Sequence, residues 1–303
     1  MSLRVLILLL ALIVSGCGPA RASTSPAPEQ AVLPAGRTLF TLSSGGLDRT
    51  FSVHRPAAAV PGSGYPLVVV LHGGFGSGAQ AETAYGWDAE ADAAGFLVAY
   101  PDGVGRAWNA GGGCCGRPGR EGVDDVAWLS AMVARVEQLV AVDRRRVYVT
   151  GMSNGAIMAY RLACETDIFA AVAPVAGTML VDCAGAARTS VLHIHGAADD
   201  RVRLDGGRGS GVAHLSGPPV RAVVDEWRER DGCGAFTTSV DGAVARSSAT
   251  CPDGRQVELV VIAGAGHQWP GSSSGGFPGA DPPSDALSAT TEIWDFFLHH
   301  PAA

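Results

Sequence analysis

Lysine is missing from this 303-residue chain: all 22 basic residues are arginine, set against 29 acidic ones for a net charge of −7. A nucleic-acid partner would want a basic face, so the deficit argues against one. The short run Arg144-Arg145-Arg146 reads as a solvated turn before a strand. The apolar run at the N-terminus, Val5 to Val14, falls short of the ~20 residues that a membrane-spanning helix needs. No histidine or carboxylate stands at ligand spacing beside the adjacent cysteines Cys114 and Cys115, which argues against a metal site there. Internal repeats are lacking as well.

What is present centres on Gly151-Met152-Ser153-Asn154-Gly155. The preceding Arg146-Val147-Tyr148-Val149-Thr150 is β-branched and aromatic enough for a buried parallel strand, and Ala156 to Cys164 reads as a helix. A G-x-S-x-G between a strand and a helix is the setting of a nucleophile elbow, a turn too tight for β-carbons beside the serine. A serine hydroxyl at neutral pH needs a base to take its proton, and the base needs an orienting acid. Candidates for both follow in the chain. Asp199 lies in His195-Gly196-Ala197-Ala198-Asp199, just past the apolar run Val191-Leu192-His193-Ile194, and His267 lies in Gly266-His267-Gln268-Trp269-Pro270 after a strand ending at Ile262. The order Ser, Asp, His, each beyond a strand end, is that of the α/β-hydrolase fold.

Each role has rivals. Asp200 adjoins Asp199, and the spacing from His195-Gly196 on to Val202 favours Asp199. His193 and His195 read as structural residues of a strand, His214 stands in a glycine-rich loop, and His299 and His300 read as exposed. An oxyanion hole needs two backbone N–H groups aimed at the developing charge. One is expected from Asn154, next after the serine. The other is expected from Gly74 or Phe75 in His72-Gly73-Gly74-Phe75-Gly76, with Gly74 favoured, because this turn follows the apolar strand Pro66 to Leu71. Phe75 also stands as a candidate substrate contact. Asp124 and Asp125 read as helix N-terminal carboxylates.

Alternating apolar strands and amphipathic helices predict one α/β-hydrolase domain over 36–303, a mostly parallel sheet with helices on both faces. Strands are expected near 38–43, 49–55, 66–72, 96–100, 146–150, 169–175, 190–195 and 256–262. Helices are expected near 82–94, 124–140, 154–165, 217–230 and 284–299, with Val126, Leu129, Val133, Val136 and Val140 sharing one face of the second. Arg4, the short apolar run and Ser15-Gly16-Cys17 describe an export signal over 1–17. Val14-Ser15-Gly16-Cys17 resembles a lipobox, in which Cys17 would carry the lipid and supply the only membrane contact; cleavage near Ala20 or Ala22, or an uncleaved anchor, are the alternatives. Residues 18–35, rich in Pro, Ala and Ser, read as a flexible tether. The expected location is therefore extracellular or at the cell envelope.

In an exported chain the six cysteines besides Cys17 suggest disulfides. Cys233 and Cys251 bracket a hairpin or loop excursion, Cys164 and Cys183 bracket a strand and a loop, and they are paired accordingly. Cys114 and Cys115 remain as a strained vicinal bond, as free thiols, or bonded to different partners.

With those residues in view, the chain resembles the secreted esterases grouped with feruloyl esterases, acetyl-xylan esterases and polyhydroxybutyrate depolymerases, including actinobacterial lipoproteins. The resemblance spans nearly all of residues 49–298. It rests on Leu71-His72-Gly73-Gly74, Trp108-Asn109-Ala110 through Cys114-Cys115-Gly116, Val123-Asp124-Asp125-Val126, the elbow with Met158 to Cys164, His195-Gly196 to Asp199, and Gly266 to Gly271. It implies Ser153, Asp199 and His267 as a triad needing neither metal nor organic cofactor, and it suggests Trp108, Trp269 and the Gly111 to Gly116 loop at the mouth of the site. The expected partner is an ester substrate: feruloyl or polysaccharide-linked esters, or 3-hydroxybutyrate oligomers. With no appended binding module in view, soluble esters or oligomers are expected over crystalline polymer. An envelope acyltransferase using the same triad, and a catalytically silent binding lipoprotein, are the rival readings.

Overall fold

The computed structural model describes residues 33–211, 214–274 and 280–302, all within one compact unit, Ala31–Ala303. The export signal 1–17, its Cys17 and most of the tether 18–35 lie outside the described residues. Leu33 is an exception: at 3% exposure it joins the core, so the domain begins inside the segment read as tether.

The strands in chain order are β1 (Gly36–Ser44), β2 (Leu47–Arg55), β3 (Tyr65–Leu71), β4 (Leu97–Pro101), β5 (Val142–Met152), β6 (Ala171–Val175), β7 (Ser190–Gly196), β8 (Gly207–Arg208), β9 (Ser216–Gly217), β10 (Thr237–Asp241), β11 (Val244–Thr250) and β12 (Gln256–Ile262). Ten of them form one sheet in the order β1-β2-β4-β3-β5-β6-β7-β12-β11-β10, and β8 pairs with β9 apart from it. The middle, from β4 to β12, is parallel; β1, β2, β10 and β11 join antiparallel at the two ends. Burial follows from this placement. Every residue of β3, β6 and β7 is buried, as a parallel strand covered on both faces requires, while all five residues of the edge strand β10 are exposed.

The helices are α1 (Gly78–Tyr85), α2 (Trp87–Ala94), α3 (Gly116–Glu121), α4 (Asp125–Leu139), α5 (Asn154–Glu165), α6 (Val220–Arg230) and α7 (Ala289–His299). Alternate residues of β3 point to opposite faces. Leu67, Val69 and Leu71 meet the buried faces of α4, α5 and α6 in one core, and Val68 and Val70 meet those of α1, α2 and α7 in another. This is the α/β-hydrolase architecture expected from the sequence, and all eight expected strands are present.

The departures have local causes. The helix expected over 82–94 is two helices, because Gly86 at φ 78 ends the first and opens the second. The helix expected from 217 starts only at Val220, after Pro218-Pro219. That expected from 284 starts at Ala289, where the Ser288 side chain accepts from Thr291 N at 3.3 Å. On α4 the buried stripe is turned: Asp125, Trp128 and Met132 join Leu129, Val133 and Val136, leaving Val126 half-buried. Disulfides join Cys164 to Cys183 and Cys233 to Cys251 as paired above, the second flanking the β10–β11 hairpin, and Cys114 is bonded to Cys115. Among the described residues, no helix is long and apolar enough to cross a membrane.

Candidate active site

Strand β5 runs into Ser153, whose φ of 56° and ψ of −118° hold it in a conformation few non-glycine residues adopt. The flanking glycines make this possible. A β-carbon on Gly151 would lie 2.7 Å from the Gly155 backbone, and one on Gly155 would lie 2.4 Å from Leu71 O. The turn is pinned by Ser153 N donating to Val175 O at 2.9 Å, and α5 starts at once, with Ile157 N donating to Ser153 O at 3.0 Å.

From this elbow a hydrogen-bonded line runs through the other two candidates. Ser153 Oγ is 2.8 Å from His267 Nε2, and His267 Nδ1 is 2.7 Å from Asp199 Oδ2. The second contact joins residues 68 apart in sequence, and both partners are buried. The other oxygen, Asp199 Oδ1, accepts from Arg201 N and Val202 N, each at 2.9 Å. Burial by itself would raise the Asp199 carboxyl, but the hydrogen bond and charge of His267, with help from His195 and the Val202 amide, hold it below its ordinary range. Asp200, the rival acid, is exposed and its side chain has no part in this line. The His267 loop is anchored by a residue that the sequence reading passed over: Asp281 Oδ2 accepts from His267 N at 2.6 Å. The only signal for it was a lone carboxylate among prolines.

On the other side of the serine, the Gly73-Gly74 turn lies against the elbow: β-carbons placed on Gly73 and Gly74 would stand 3.6 Å from Ser153 Cβ and 4.0 Å from Asn154 Cβ. The Phe75 amide already donates to Arg106 O at 2.8 Å. That takes Phe75 out of contention as an oxyanion donor and leaves Gly74 beside Asn154. His72, fully buried, holds this turn. Its Nδ1 donates to Gly73 O at 2.7 Å and its Nε2 accepts from Gly103 N at 2.9 Å, two bonds that only a neutral ring with the proton on Nδ1 can make together. Burial accordingly pushes its pKa down to about 4.

The aromatic residues expected at the mouth need correction. Phe75 does face outward, 57% exposed and held at φ 65. Trp108 and Trp269 do not, with exposures of 0% and 2%. Trp269 stacks on Tyr85 with ring centroids 4.4 Å apart, and its Nε1 donates to Thr290 Oγ1 at 3.1 Å, so the ring packs beneath the His267 loop. Trp108 is a brace between the two candidate oxyanion donors. Its backbone pairs with the Asn154 side chain in both directions, Trp108 N to Oδ1 at 2.7 Å and Nδ2 to Trp108 O at 3.0 Å, while its indole Nε1 donates to His72 O at 2.9 Å. Both indoles turn inward because each finds a buried acceptor that a solvent-facing ring would leave unpaired.

Below this brace, Asp124 caps α4 by accepting from Ala127 N at 2.9 Å, as expected. Asp125 does more: it is fully buried, accepts from Asn109 N at 2.6 Å and stands 2.7 Å from Arg49 Nη1 in an ion pair. The Arg49 guanidinium in turn lies over Trp128, 3.9 Å from the ring centroid. Among the other histidines, His299 is exposed as expected, whereas His300 is 8% exposed with Nδ1 2.7 Å from Phe296 O, because the last turn of α7 packs it inward.

A buried sheet ending in a strained serine elbow, with an acid and a histidine delivered by later strand ends, defines a hydrolase of the α/β-hydrolase fold. Residues 50–231 match the family described as Esterase PHB depolymerase, and the chain belongs to that family; it is a carboxylic ester hydrolase. It is 32% identical to the esterase NocK of Nocardia uniformis subsp. tsuyamanensis, over 90% of this chain and 86% of that one. It is 30% identical to feruloyl esterase C of Emericella nidulans over 52% of this chain, a match spanning 58% of that relative's length. Among solved structures, an acetyl xylan esterase from Aspergillus awamori superposes with a TM-score of 0.61 at 15% identity, covering 86% of this chain and 99% of that one, a likeness of fold.

Proposed function

We propose that the protein is an exported serine esterase working through an acyl-enzyme. Ser153 attacks the ester carbonyl as His267 takes its proton, Asp199 orients the imidazole and stabilises its charged form, and the amides of Gly74 and Asn154 hold the oxyanion. His267 then returns the proton to the departing alcohol, and water repeats the sequence to free the acid. The observation that carries this reading is the unbroken line Ser153 Oγ, His267 Nε2, His267 Nδ1, Asp199 Oδ2 at 2.8 and 2.7 Å. The exposed Phe75 ring beside Gly74 supplies an apolar contact for the substrate. Feruloyl or polysaccharide-linked esters and 3-hydroxybutyrate oligomers are the substrate classes, supported by the names of the relatives and the family description. Lipidation at Cys17 would tie the domain to the envelope, a reading supported by the Val14-Ser15-Gly16-Cys17 pattern.

The test is a hydrolysis panel on the mature protein and its Ser153→Ala variant, preceded by mass measurement of the mature N-terminus. Loss of about 10³-fold or more on p-nitrophenyl esters is expected for Ser153→Ala, with unchanged folding. Near-native turnover by that variant would remove the mechanism, and an unmodified N-terminus beyond Cys17 would remove the anchor.

A further inference from the structure

Behind Asp199, away from the serine, three buried side chains form a second line that the acyl-transfer chemistry does not use. Tyr160 on α5 has its hydroxyl 2.7 Å from His193 Nδ1; His193 Nε2 is 2.9 Å from His195 Nδ1; and His195 Nε2 is 2.7 Å from Val202 O and 3.5 Å from Asp199 Oδ2. All three residues are at most 1% exposed. The carbonyl of Val202 can only accept, so His195 carries its proton on Nε2 and its Nδ1 must accept. His193 therefore donates from Nε2 and accepts at Nδ1, and the Tyr160 hydroxyl is the donor that starts the chain. Burial pushes both imidazoles below their ordinary pKa, His193 far below, which keeps both rings neutral, as this arrangement needs.

Every donor in the chain thus points the same way, toward the turn that carries the acid. Aligned hydrogen bonds in a dry interior polarise one another, and the last N–H lies between the Val202 carbonyl and the Asp199 carboxylate. Val202 is itself the residue whose amide donates to Asp199 Oδ1. The chain also begins on the helix that opens at Ser153, so it ties the nucleophile's helix to the acid's turn through β7.

We infer that His195, backed by His193 and Tyr160, is a positioning residue that holds the Asp199 turn so that its carboxylate meets His267. This rests on the triad reading above, and the test separates the two. His195→Phe keeps a ring but removes the donor to Val202 O and the acceptor for His193. It is expected to lower kcat roughly tenfold or more at nearly unchanged KM, because a misplaced acid disorients the base in the transition state and leaves substrate binding intact. His195→Gln, which can offer both a donor and an acceptor, should recover most of that loss. Placed in an Asp199→Asn background, His195→Phe should cost less than about twofold further, because residues acting through one another are not additive.

A full multiplicative loss in that background, or a loss carried by KM, overturns the positioning role. Near-native activity of Asp199→Asn alone overturns the triad and this role with it. Should His195→Phe fail to fold, Tyr160→Phe removes only the hydroxyl at the far end. It is expected to lower kcat about twofold to threefold, again with no further effect when Asp199 is asparagine; an equal loss in both backgrounds counts against the inference.

Discussion

The two flanks of Ser153 are held by the same device and backed by different chemistry. On the oxyanion flank His72 fixes a turn by donating to Gly73 O and accepting from Gly103 N, and on the acid flank His195 fixes a turn by donating to Val202 O and accepting from His193. Each is a neutral imidazole with one tautomer selected by a backbone carbonyl. Behind His72, however, stand Trp108 and the buried ion pair of Arg49 with Asp125, whereas behind His195 stand His193 and Tyr160. A neutral chain needs no countercharge, and a buried ion pair is stable only while both members remain. The oxyanion flank should therefore be the more fragile to single substitutions, and the acid flank the more sensitive to protons.

Asp125→Ala tests the first half of that contrast with the largest expected effect. It leaves the Arg49 guanidinium buried without its partner and the Asn109 amide without an acceptor, which should cost about 3–5 kcal/mol. Urea denaturation of the variant measures it, and a cost below about 1 kcal/mol would mean that solvent reaches Arg49.

Acid addresses both flanks together. The folded pKa of His72 is lowered from 6.5 to about 4, and those of His193 and His195 are lowered too. Above about pH 6.5 these rings are neutral in both states. Between about 6.5 and 4 the unfolded chain binds protons that the fold refuses, so stability should fall with pH, by on the order of 3 kcal/mol from His72 alone, and level off for that group below about 4. Both His72 and His193 refuse a proton in the fold because they are buried, so His72→Gln and His193→Gln should each flatten a profile of Tm against pH. A profile that only His72→Gln flattens would assign the proton sensitivity to the oxyanion flank.

Trp108→Phe should have the smallest effect. It preserves the ring and the backbone pairing with Asn154 but leaves His72 O, buried, without its indole donor, at a cost of about 1–3 kcal/mol. A modest fall in kcat should accompany the lower Tm. An unchanged enzyme would show that the Asn154 pairing alone unites the two halves of the proposed oxyanion hole.

Much of this site could be read in the chain because its parts sit where the backbone is forced. Ser153 needs glycines on both sides, and Asp199 and His267 each follow an apolar strand, so local pattern and chain order sufficed to name them. No such local constraint places Trp108 and Trp269, which the resemblance alone had put at the mouth. An aromatic residue in a glycine-rich loop has no periodicity to say which way it faces, and both turned inward to acceptors, His72 O and Thr290 Oγ1, contributed by distant segments. Asp281 was hidden for the same reason, and the split at Gly86 because a single glycine is tolerated in many helices.

The sequence by itself determined the alternation of strands and helices, the elbow, the order of the three candidate catalytic residues and the pairing of Cys164 with Cys183 and of Cys233 with Cys251, since each depends on residues near one another or on a strand end. Tertiary structure alone decided the engagement of the Phe75 amide by Arg106 O, the Trp108 brace, the Arg49–Asp125 pair and the line from Tyr160 to Asp199. These turn on which buried donor finds which buried acceptor, and partners remote in sequence meet only when the sheet has brought its strand ends together.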